Sequence, residues 1–69
     1  MAQVVKVIEV LAQSEKGWEE AAEQAVQIAS KSLRKIKSIY IKEFSADVLD
    51  GKISQYRINA KISFDLESP

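Results

Sequence analysis

Side chains that carry most biological chemistry are scarce in this chain. Neither Cys nor His occurs among its 69 residues. Thiolate nucleophiles, imidazole acid–base pairs, disulfides and zinc sites built from these ligands are therefore excluded. Gly17 and Gly51 are the only glycines, so no Gly-rich phosphate loop exists. What remains is oxygen and ammonium chemistry. Glu15, Glu19, Glu20 and Glu23 crowd one segment, and Lys31, Arg34, Lys35 and Lys37 crowd the next. The first group reads as a solvated helix face and the second as the basic end of the same helix. Asp47 and Asp50 flank a turn, and Glu9, Glu43, Asp65 and Glu67 fall on extended segments. A calcium site needs several converging oxygens. Asp47 and Asp50 are the metal candidates, with turn chemistry as their simpler role. No segment has EF-hand spacing. Nothing marks out a carboxylate pair for catalysis, so the chain reads as a non-enzyme.

Charge narrows the partners. Ten Lys and Arg balance ten Asp and Glu. A neutral chain has no general pull toward nucleic acid or an anionic membrane. No apolar run is long enough to span a bilayer, and the N-terminus lacks a signal-peptide layout. The expected location is the cytoplasm, which suits a chain without cysteine.

The elements that must position these groups follow from periodicity. Residues 4–11 are rich in Val and Ile and predict a strand. Ser14 is a suitable helix N-cap. Trp18, Ala22, Ala25, Ala29 and Leu33 recur at helical spacing, giving an amphipathic helix of about 20 residues whose stripe is mostly alanine. Trp18 reads as a core anchor of its first turn. Val26 and Ile28 lie off the stripe, as wider core coverage or as a second contact surface. Residues 38–48 predict a second strand. Its apolar phase switches between Ile41 and Phe44, which implies a bulge or burial on both sides. Asp50-Gly51 is a two-residue hairpin signal. Residues 52–66 predict a third strand with Tyr56, Ile58, Ala60, Ile62, Phe64 and Leu66 on one face. The polar residues Gln55, Arg57, Asn59, Lys61, Ser63 and Asp65 line the other face. The result is one domain over 1–69, an α+β fold in the order β-α-β-β. A right-handed crossover followed by a hairpin places the third strand centrally, giving an antiparallel sheet of order 1-3-2.

Lengths predict company. A helix of roughly 30 Å cannot cover a ribbon of about 50 Å. Phe44, Val48, Ile53 and Tyr56 are left at the uncovered end, and exposed apolar surface of this kind marks an interaction site. Further copies of the chain are the simplest cover.

This layout resembles the dodecin family. The resemblance rests on Val5-Lys6-Val7-Ile8-Glu9-Val10 and on the run from Ser14-Glu15-Lys16-Gly17-Trp18 to Ala21. It continues in Ser32-Leu33-Arg34, Ile41-Lys42-Glu43, Asp50-Gly51-Lys52-Ile53 and Lys61-Ile62-Ser63-Phe64. It implies a three-stranded sheet partly wrapped around one helix and a hollow homododecamer of cubic symmetry. It also implies storage of a small ligand without catalysis. Flavin dodecins hold paired flavins between aromatic rings at subunit contacts, and coenzyme A binding is associated with some members. The inherited pocket positions are Ser38, Ser45, Gln55 and Arg57, and they depart from the flavin pattern. Ser38 stands where a flavin-stacking Trp belongs, and Arg57 where a Gln meets the ring edge. Ser45-Ala46 replaces the usual Arg-Gly. Serine offers no stacking surface, and arginine has donors but no acceptor. The segment resembles the calcium-dodecin branch more than the flavin one. The reading is a homo-oligomeric binding or storage protein for a small molecule or ion, with flavin disfavoured and calcium open. The alternatives are a riboflavin or FMN store and a purely structural assembly.

Overall fold

In the computed structural model, residues 3–66 are described. The chain runs β1 (Val5–Ser14), α1 (Trp18–Ala29), β2 (Ile36–Leu49) and β3 (Lys52–Asp65). The sheet order is β1-β3-β2, with both neighbouring pairs antiparallel. This is the expected fold, and it follows from the hairpin plus the helical crossover. Asp50 has φ 53° and Gly51 φ 77°. Two consecutive positive φ values are what a type I′ turn requires, and Leu49 pairs opposite Lys52 across it. The phase switch in β2 is a bulge, seen as a register shift between Ile41 and Glu43. Further shifts occur at Ile36/Ser38 and Asp47/Val48.

Alternation along β3 divides the two faces. Ile58, Ala60 and Ile62 are fully buried, and Phe64 nearly so. These residues face α1, while Gln55, Arg57, Asn59, Lys61, Ser63 and Asp65 take the opposite, open face. Leu66, assigned by its spacing to the buried face, follows the end of β3 and is exposed.

The helix departs from expectation in both length and caps. It has 12 residues, so it is about 18 Å long. Ser14 ends β1 instead of capping α1. Its Oγ accepts from the Lys16 backbone N–H at 2.9 Å and donates to Glu20 at 2.8 Å. Gly17 takes the N-cap position without a side-chain cap. At the other end Ser30 Oγ donates back to the Val26 carbonyl at 2.7 Å. The turn then tightens through Lys31 N–H to Ile28 O and Ser32 N–H to Ala29 O. Serines that bond the preceding turn in this way offer the backbone an exit from the helix. No basic residue lies in the last turn. Lys31, Arg34 and Lys35 belong to the connection into β2, and Lys37 to β2 itself.

The core is thin. Ala21 is the fully buried helix residue, packed on Ile58 and Ala60, while Trp18 and Ala22 are half-buried around it. Val26 is half-buried, whereas Ile28 is 61% exposed, so the flanks of the stripe differ. Only Ile58 and Ile62 are large and fully buried, among the described residues. Burial of each stabilises by about 1.5–3 kcal/mol. The molecule is 53 Å long, so the shorter helix leaves still more of the ribbon bare. Phe44 (62%), Val48 (67%), Leu49 (66%) and Ile53 (46%) are exposed toward the hairpin. Tyr56, expected with them, is half-buried instead. Its ring stands edge-on to Trp18 with centroids 4.8 Å apart.

Candidate functional site

The open face of the sheet carries a ladder of polar contacts. Its middle consists of two neighbouring rows of residues, Leu11–Asn59–Glu43 and Gln13–Arg57–Ser45, each running across β1, β3 and β2. Arg57 ties three strands together. Its Nε donates to Gln13 Oε1 at 3.0 Å and its Nη2 donates to Asp47 Oδ2 at 2.7 Å. Both carboxylate and guanidinium are partly exposed, so solvent screening keeps the pair's contribution to about 1 kcal/mol or less. An open cleft of about 190 Å³ lies over these rows, lined by Leu11, Glu43, Phe44, Ser45, Arg57 and Asn59. Asn59 Oδ1 is buried there without a hydrogen-bond partner among the described residues.

Three of the four sequence-derived pocket positions come together. Ser45 pairs opposite Arg57, and Gln55 pairs opposite Asp47 one step further along the same face. Ser38 stands apart. It pairs opposite Ser63, with the two hydroxyls in hydrogen-bond contact. About 20 Å of strand separates that row from Arg57.

The metal candidates do not converge. Asp47 is engaged by Arg57, and Asp50 occupies the turn. Among the described residues, no group of three potential metal-binding side chains forms. Glu9 pairs with Lys42 at 3.7 Å, and Asp65 with Lys37 at 3.9 Å. Glu67 lies outside the described residues. Glu20 is drawn toward Lys16 and Ser14, consistent with a solvated helix face.

Sequence reasoning missed two participants. Gln13 enters through the β1–β3 register, for which no local turn provides a signal. Trp18 approaches from the helix face. Its Nε1 donates to the Ser45 backbone carbonyl at 2.9 Å while its ring stands edge-on to both Phe44 and Tyr56. The anchor is therefore aimed at the same residue that Arg57 faces from the other side.

The dodecin family profile matches residues 4–67. The chain belongs to the dodecin family. A dodecin of Thermus thermophilus is 30% identical over 67 residues, covering 97% of both chains. Among solved structures, dodecin from Streptomyces coelicolor superposes with a TM-score of 0.91 at 28% identity, covering 97% of this chain and 96% of that one. The calcium dodecin of Mycobacterium tuberculosis, described as a calcium-chelating antigen with a novel calcium-binding site, is 38% identical. It has a TM-score of 0.80, with 96% of this chain and 97% of that one covered. The family match agrees with the resemblance carried by the strand, helix-entry and hairpin segments. Among the described residues, no helix of this dodecin is long and apolar enough to cross a membrane.

Proposed function

We propose that this dodecin is a homo-oligomeric particle that holds a small molecule or ion at contacts between its subunits and catalyses no reaction. The observation that carries this reading is the bare apolar ribbon. Phe44, Val48, Leu49 and Ile53 are exposed beyond a helix only 12 residues long. Surface of that kind in a thin-cored chain is stabilised by burial against further copies. Family membership favours a dodecamer as the closed form. The spread of the inherited positions fits the same reading. Ser38 lies about 20 Å from Arg57 along the sheet, so a pocket that uses both draws on two copies. The absence of Cys and His removes the most versatile catalytic groups.

Ser38 and Arg57 in place of a stacking ring and an amide argue against flavin. The likeness to the calcium dodecin keeps calcium as the second reading, with its ligands gathered from several copies. Light scattering on the eluted protein tests the assembly, with a mass near a dodecamer expected and a stable single chain rejecting it. Riboflavin and calcium titrations then separate the ligands. Quenched riboflavin fluorescence would support a flavin store, and calcium-dependent melting would support the metal. Neither response would leave a purely structural assembly.

A further inference from the structure

The cleft over Arg57 has a chemical polarity of its own. Arginine presents five N–H donors in a fixed plane. Two are used here, one on Gln13 and one on Asp47. Nη1 meets no acceptor among the described residues. The guanidinium is thus held through Nε and Nη2, and the N–H groups of Nη1 remain to donate charge-assisted hydrogen bonds to a carboxylate. Glu43 sits diagonally across the cleft, one strand over and one row along. Its carboxylate has no partner among the described residues. Asn59 lies between them at the floor, with its unpartnered Oδ1. Leu11, 70% exposed, forms an apolar side. The surroundings are balanced: Lys42 is paired with Glu9 in the adjoining rows, and Asp47 offsets Arg57 from its far side. A dianion would meet repulsion from both Glu43 and Asp47. A simple cation would meet Arg57. A molecule with one group of each sign meets neither penalty.

We infer that this cleft binds a small zwitterion of the α-amino-acid type, with its carboxylate on the Nη1 N–H groups of Arg57, its ammonium on Glu43 and Asn59, and an apolar side chain against Leu11. Asp47 and Gln13 are positioning residues that orient the guanidinium. The inference rests on the reading above that this protein holds a small molecule, and it names that molecule's chemistry.

The test is titration calorimetry on the assembled protein with L-leucine, isocaproate (no ammonium) and isoamylamine (no carboxylate). Leucine should give saturable heat, and each analogue should bind at least about tenfold more weakly, because each leaves one charged partner unmet. Glu43→Gln should weaken leucine by a similar factor while leaving isocaproate unchanged or tighter. Arg57→Gln should weaken leucine and isocaproate and spare the amine. This crossed pattern is one that general damage to the sheet does not produce. Variants that weaken all three ligands alike, or leave all three alike, would overturn the inference. So would an intact particle, its mass checked by light scattering on the same sample, that gives no saturable heat with leucine. A single-chain mass would instead reject the assembly, and the heats would still decide the cleft.

Discussion

Trp18 and Ser45 are joined through the sheet: the indole Nε1 donates to the Ser45 backbone carbonyl at 2.9 Å, just beyond the bulge of β2. The same residue pairs opposite Arg57 in the central strand. The first turn of the helix is thereby tied to the row that carries the cleft. Trp18→Phe keeps an aromatic body against Tyr56 and removes only the donor, so a loss of about 1 kcal/mol is expected. Trp18→Ala also removes the ring contacts and should cost about 3 kcal/mol. Thermal melting at one fixed protein concentration checks both, since assembly makes stability concentration-dependent. Equal losses would show that the hydrogen bond, and not the ring, carries the contact.

The hairpin has little tolerance for a side chain at its second residue. Gly51 sits at φ 77° with open space around it, so steric contact is not the obstacle. Backbone strain is. Gly51→Ala should cost about 1 kcal/mol, and Gly51→Val more, because a branched side chain resists positive φ further. Melting temperatures in the order Gly, Ala, Val would check this.

Removal of volume at the centre should be expensive. Ile58 is fully buried and packs beside Ala21 and Ala60. Ile58→Ala should destabilise by about 2–5 kcal/mol. In a core with so few large residues, the variant should show broadened melting or fail to assemble. An unchanged melt would mean that the centre of the protein lies elsewhere.

Charge placed on the bare ribbon should act on assembly and spare the fold of the chain. Val48→Asp and Leu49→Asp replace side chains that are 67% and 66% exposed. Within one chain these substitutions cost little, about 0.5 kcal/mol. At an apolar subunit contact each buries an unpaired carboxylate. The expected outcome is a lower mass by light scattering, with strand and helix signals retained in circular dichroism. A full-size particle from both variants would place the contact elsewhere.

Much of the architecture is legible in the sequence. The six alternating residues from Tyr56 to Leu66 announced a strand with one buried face, and Asp50-Gly51 announced its partner. From there the strand order followed by exclusion. The apolar spacing runs past the end of the helix at Ala29, because Leu33 continues it. At the end of the helix the Ser30 hydroxyl bonds the Val26 carbonyl and the chain tightens into i→i−3 bonds, a local competition which periodicity does not register. The site is only partly legible in the sequence. Its positions come from the family resemblance, and the pairing of β2 with β3 is what sets Ser45 opposite Arg57. Gln13 was hidden, because β1 and β3 are distant in sequence and their register depends on the whole buried face. The approach of Trp18 to Ser45 was hidden too, since it depends on where the helix sits over the sheet.

The outer margin of β2 has one more consequence. A long, unpaired strand invites a neighbour's backbone to zip alongside it, and repetition of that event makes fibres. Three interruptions of register, at Ile36/Ser38, Ile41/Glu43 and Asp47/Val48, break that margin into short lengths whose free amides fall out of step with any straight incoming strand. If the apolar ribbon is covered by further copies, as proposed, the broken margin of β2 disfavours open-ended stacking and favours assemblies that close.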